Sequence, residues 1–152
     1  MGMDVHGLNP VIRKEPTSEI LKEDWTKLSK DDLGKYFEAK QQQEEDNPGI
    51  YFRNNVWWWR PLWDYVCSIC DDFIDEARWD NGHSNNGESF TDEEAKMIAV
   101  RLLREIKNND TEAYERLYEI KTEGDKYQYP FSVDNVRNFA EFCKDSGGFS
   151  IQ

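Results

Sequence analysis

The sequence predicts a predominantly helical α+β single domain, with five or six helices and a small sheet joining the N- and C-termini. Three observations carry this expectation. Apolar residues recur at helical spacing through most of the chain. Side chains of the capping type stand in front of those runs. Short apolar stretches bounded by Gly and Pro lie at both termini. A length of 152 residues suits one domain, and a chain of that size buries roughly 68–70% of its unfolded surface.

Taken in order, Val5 between polar neighbours, closed by Gly7 and Asn9-Pro10, reads as a short strand. Residues 17–46 read as helical in two pieces. Leu21, Trp25 and Leu28 share one face, and Leu33, Tyr36 and Phe37 continue the second piece after a capping pair of Ser29 and Asp32. Asn47-Pro48-Gly49 is a turn. Pro61, favoured at the first helical position, opens a helix over 61–78, with Leu62, Tyr65, Val66, Ile69, Cys70, Phe73, Ile74 and Ala77 inward. Its other face carries an acidic stripe of Asp64, Asp71, Asp72, Asp75 and Glu76 around Ser68.

Residues 80–90, rich in Gly, Asn and Ser, read as a loop that sustains neither helix nor strand. Thr91 with Glu94 is a capping box that starts a helix to about 107, with Ala95, Ile98, Ala99, Leu102, Leu103 and Ile106 inward. A helix over 111–122 buries Ala113, Tyr114, Leu117 and Tyr118, and Gly124 breaks it. Tyr127 to Phe131 is extended around Pro130. Ser132 caps a last helix with Val133, Val136, Phe139, Ala140 and Cys143 inward. Ser146-Gly147-Gly148 stops it, and Phe149 to Gln152 pairs beside residues 3–6.

The net charge of -12 weighs against direct nucleic-acid binding, because phosphate contact needs a local excess of Lys and Arg. No apolar run approaches the ~20 residues of a membrane span, and no basic-then-apolar leader opens the chain. A cytoplasmic protein without a membrane partner is expected. Cys67-x-x-Cys70 has no second pair to complete a zinc site. Asp71 and Asp72 beside it would raise a thiol pKa, the wrong direction for a reactive thiolate. The three cysteines therefore read as reduced core thiols, and no metal or cofactor is expected.

Two clusters carry possible chemistry. Trp57, Trp58 and Trp59 cannot all face one core from a helix, since successive residues point about 100° apart. Arg53, Asn54, Asn55 and Arg60 flank them. Ring faces beside guanidinium and amide groups suit a flat anionic ligand; the plainer reading of the same residues is an aromatic wedge between helices. Gly82 to Gly87 is a compact polar loop, in which His83 is placed to act as a hydrogen-bond partner or general base. No nucleophile motif or phosphate-binding glycine loop accompanies it.

Four blocks, MGMDVHG, YFRNNVWWWRPLWDYV, GHSNNGESF and YPFSVDNVRNFAEFCKDSGGFSI, resemble a family of uncharacterised phage and prophage proteins, in that order and over about half the chain. The resemblance implies a phage or bacterial cytosolic origin and no particular activity. The chain differs from that pattern in a helical insertion at about 17–47 and in lacking a Cys-rich insert near 119–127. The recurrence of distant blocks points to one composite site of Arg53, Asn54, Asn55, Trp57, Trp58, Arg60, His83 and Asn85. The expected function is a phage-type binding protein, not an enzyme, that holds a small anionic, nucleotide-like ligand, with counter-defence by sequestration as its role. One alternative is an acidic inhibitor of a host protein, or a nucleic-acid mimic, acting through the 61–78 helix. A second is a small hydrolase with His83 as base.

Overall fold

A computed structural model describes residues 2–152. Among these residues the chain forms six α-helices and one four-stranded antiparallel sheet. Strand β1 (Gly2–Gly7) is followed by two single turns of 3-10 helix, Glu19–Lys22 and Trp25–Lys27, and by helix α1 (Lys30–Asp46). Strand β2 (Tyr51–Asn55) runs straight into α2 (Val56–Ile69), and α3 (Glu76–Gly82) precedes β3 (Glu88–Phe90). Helices α4 (Asp92–Lys107), α5 (Asp110–Thr122) and α6 (Val133–Asp145) lead to β4 (Phe149–Ile151). The sheet order is β2-β1-β4-β3, with Val5 opposite both Phe52 and Ile151. The expected α+β class, with a sheet joining the two ends of the chain, is the one observed.

Period-two alternation decides which side of the sheet is covered. Met3, Val5, Phe52, Phe90, Phe149 and Ile151 are buried, whereas His6 and Arg53 are exposed. Against that apolar side lie Trp59 and Trp63 of α2 and Phe139 and Phe142 of α6. Helix α4 packs along α6 and contributes Ala95, Ile98, Ala99 and Leu102, as its spacing predicts. The Thr91–Glu94 capping box is present, and Ser29 and Ser132 each accept the backbone N–H three residues on. Gly147 and Gly148 have φ of 67° and 96°. A side chain at Gly147 would sit 2.1 Å from the Asn9 carbonyl oxygen, so the helix stop and the approach of the N-terminal segment both require glycine there.

Several expectations need correction. The second helix starts at Val56, not at Pro61, which lies inside it. Asn55 caps it by accepting from the Trp58 N–H at 3.0 Å, and burial of Trp59 holds the added turn although Pro61 cannot donate to the Trp57 carbonyl. That helix also ends at Ile69, where residues 70–74 turn on the Cys70 carbonyl and Asp75 caps α3 instead. The acidic stripe is thus split: Asp75 is a cap, Asp72 chelates Arg101, and Asp64 belongs to the cleft described below. Residues 80–90 are not all loop, because α3 ends at Gly82 and β3 pairs with β4. Helix α5 turns Ala113 and Leu117 outward and buries Thr111, which is bonded to the Tyr65 hydroxyl at 2.9 Å. Of residues 17–29, only the two 3-10 turns are helical, and α1 buries none of its residues.

Arg78 ties α3 to its surroundings. It donates to Glu88 at 3.2 Å, to the Ser89 carbonyl at 2.9 Å and to both oxygens of Glu94, and its guanidinium lies 4.1 Å from the centre of the Phe90 ring. These bonds hold the Glu94 carboxyl below its ordinary range. Its stabilising share is then present above the unfolded pKa and lost as pH falls through the lower folded value. Urea midpoints of wild type and Glu94→Gln should therefore converge as pH falls from 7 to 3, with the wild type losing more. Gly82→Ala would place a Cβ 2.2 Å from the Trp63 ring. Such overpacking costs about 1–3 kcal/mol, and calorimetry should show a Tm lower by roughly 3–10 °C.

Candidate functional site

Trp59 and Trp63 lie one turn apart on α2, with rings stacked at 5.4 Å and 11°. Both are fully buried, so each indole N–H needs an internal acceptor. Trp59 donates to the Gly82 carbonyl at 2.8 Å and Trp63 to the Trp79 carbonyl at 2.9 Å. These are two of the four carbonyls that a helix leaves open at its C-terminus. The other two, of Asp80 and Asn81, accept from the backbone N–H groups of His83 and Ser84. The short α3 is thereby pinned against α2 at a set height.

Pinning α3 brings its outer side chains onto the next face of α2. The Trp79 indole donates to Asp64 Oδ1 at 2.7 Å, and His83 Nε2 meets the same oxygen at 3.0 Å. The His83 ring stands edge-on to Trp79 at 4.9 Å. Burial raises the Asp64 carboxyl, but the bonds from His83 and Trp79 outweigh it and hold the group below its ordinary value. Asp64 is a carboxylate at physiological pH, with Oδ1 engaged. His83 Nδ1 is buried and has no partner. His83 thus meets Asp64 through Nε2 and turns Nδ1 into the protein.

Beside this group opens a cleft of about 380 Å³ between α2, α3, α5 and the segment before α6. Arg60, Pro61 and Asp64 of α2 line it together with Trp79, Asp80 and His83. Tyr114 and Tyr118, i and i+4 on α5, face them with Tyr129. Burial pushes the Tyr114 and Tyr118 phenols up, so both remain neutral donors. The Tyr118 hydroxyl donates to the Tyr129 carbonyl at 2.7 Å, and the Tyr129 ring lies 5.0 Å from Trp57. Arg60 donates to the Tyr129 hydroxyl at 3.4 Å, and among the described residues no carboxylate lies within ion-pair distance of it.

Of the eight residues expected to form one site, Arg60 and His83 line this cleft and Trp57 flanks it through Tyr129. The others do not line it. Arg53 is on the exposed sheet face, 3.6 Å from Asp4. Asn54 exchanges two amide bonds with Asn135, at 3.0 and 2.9 Å. Asn55 is the cap of α2, Trp58 is half-buried, and Asn85 donates to the Gly2 carbonyl at 2.9 Å. The bonds of the three asparagines are structural, in keeping with short polar side chains next to turns and strand ends. Asp64, Trp79, Asp80, Tyr114, Tyr118 and Tyr129 were missed. The signals available were the i, i+4 pairs Arg60–Asp64 and Trp79–His83, each of which puts two polar or aromatic groups on one helix face.

The three cysteines are buried and free, and burial pushes the Cys70 thiol up to about 11. Cys67 and Cys143 are raised by burial as well. Among the described residues no cluster of His, Cys, Asp and Glu could hold a metal ion, and no helix is long and apolar enough to cross a membrane. In comparisons with known proteins, no family model, curated protein or solved structure matches the chain.

Trp79→Phe deletes one donor to Asp64 and leaves the backbone carbonyl that Trp63 uses. An NMR titration of the Asp64 side-chain carbon should show its pKa rising toward the ordinary value, with Tm little changed.

Proposed function

We propose that the protein is a small-molecule-binding protein that holds an aromatic, anionic ligand of nucleotide type in the cleft beside Arg60. The single observation that carries this reading is the state of Arg60. Its guanidinium stands at an aromatic-walled cleft with one long hydrogen bond and no carboxylate partner among the described residues. Arg78, Arg13 and Arg101, by contrast, each grip carboxylate oxygens. An unpaired guanidinium is suited to a phosphate or carboxylate, and the faces of Trp79, Tyr114 and Tyr129 are suited to a planar ring.

Binding without turnover fits the site better than hydrolysis does, because Asp64 and burial take up both His83 nitrogens. It also fits better than an acidic mimic, because Asp64, Asp75 and Asp72 of that stripe are divided between a cleft, a cap and an ion pair. With the phage resemblance, such a cleft would serve to sequester a host nucleotide signal in the bacterial cytoplasm.

Tryptophan fluorescence tests this. Trp79 is 38% exposed at the cleft, so a mononucleotide such as GMP should quench emission on binding. Arg60→Ala should weaken that binding on the order of 10- to 100-fold by removing a charge-assisted hydrogen bond. Its Tm should barely change, since Arg60 is exposed and weakly bonded. Arg53→Ala, outside the cleft, should bind as wild type does. No quenching by any purine or pyrimidine mononucleotide would overturn the reading.

A further inference from the structure

The cleft carries acceptors as well as a cation. Asp64 Oδ1 is occupied by Trp79 and His83, while Oδ2 has no hydrogen-bond partner among the described residues. Asp80, on α3, lines the same cleft, and its carboxylate likewise has no side-chain bond or ion pair among them. Ionised carboxylates only accept hydrogen bonds. A ring edge that points lone pairs at them is repelled, and an edge with two adjacent N–H donors is matched. Arg60 lies one helical turn from Asp64, so one ligand can reach both, its anionic group at Arg60 and its donor edge at the carboxylates.

Resting on the binding reading above, we propose that the ligand carries a guanine-type edge, a ring amide N–H beside an exocyclic amino group, read by Asp64 and Asp80. Guanine nucleotides and pterins both bear this edge. Adenine offers one donor next to an acceptor. Uracil and cytosine each place a carbonyl or ring acceptor where the second donor is needed. The aromatic walls accept any of these rings, so the carboxylates, not the stacking, decide between them.

The test is a fluorescence titration of the full chain with GMP, IMP, AMP and 6-carboxypterin. GMP should bind on the order of 10- to 100-fold more tightly than AMP, and IMP, which keeps the ring N–H but lacks the amino group, should fall between them. Tighter binding of carboxypterin than of GMP would assign the same edge to a pterin. Asp80→Asn should lower GMP affinity and leave AMP unchanged; the residue is exposed and unbonded, so the fold is not at risk. Asp64→Asn, which keeps an acceptor for Trp79 and His83, should act in the same sense. Equal affinity for GMP and AMP, in wild type and in Asp80→Asn, would overturn this inference and leave the anionic-ligand reading standing. Loss of all binding would overturn both.

Discussion

Two buried indole N–H groups hold the cleft side of this structure in place. Trp59 and Trp63 occupy the centre of the core, where a donor without an acceptor costs about 1–3 kcal/mol. The acceptors they find are the Gly82 and Trp79 carbonyls, themselves left open by the end of a seven-residue helix. A helix that short is not stable alone. It persists because each side removes the other's unsatisfied group, and because Gly82 lets the Trp63 ring approach its backbone. The cleft follows from that contact: once α3 is pinned, Trp79 and His83 converge on Asp64, and Asp80 joins Arg60 around one opening.

Other polar residues secure the frame so that the cleft residues need not. Asn47, fully buried, accepts from the Arg13 and Lys14 N–H groups and donates to the Lys14 and Gln43 carbonyls. All of its hydrogen-bonding capacity is used. Arg13 in turn grips both oxygens of Asp145 at the end of α6. The long N-terminal segment is thereby fastened to the core at its base, while α1 packs mainly against its neighbouring 3-10 turn. Bonded side chains of this kind contrast with Arg60 and Asp80, which line the cleft without an ion-pair partner among the described residues.

Local signals were legible wherever the determinant lies within one turn of the chain. The Thr91–Glu94 box, the Ser132 cap and the Gly147-Gly148 stop all involve bonds between residues a few positions apart. Apolar spacing in α4 and α6 predicted the buried faces because those helices pack along much of their length. The cap of Asn55 and the amide pair of Asn54 were not legible for the opposite reason. An asparagine's side chain satisfies a cap, an amide pair or a ligand equally well, and only the partner across space, the Trp58 N–H or Asn135, selects one.

By itself the sequence determined the class of fold, the meeting of the two termini in one sheet and the burial of the cysteines. Tertiary structure alone decided the break of the acidic helix at Cys70, the separation of Arg53 from Arg60, and the convergence of Asp64, Trp79, Asp80 and three tyrosines on a single cleft. The physical reason is range. Caps and helical periodicity are set by neighbours along the chain. The site is set by hydrogen bonds between α2 and α3 and by the packing of α5, whose register depends on which buried donors and acceptors must be paired.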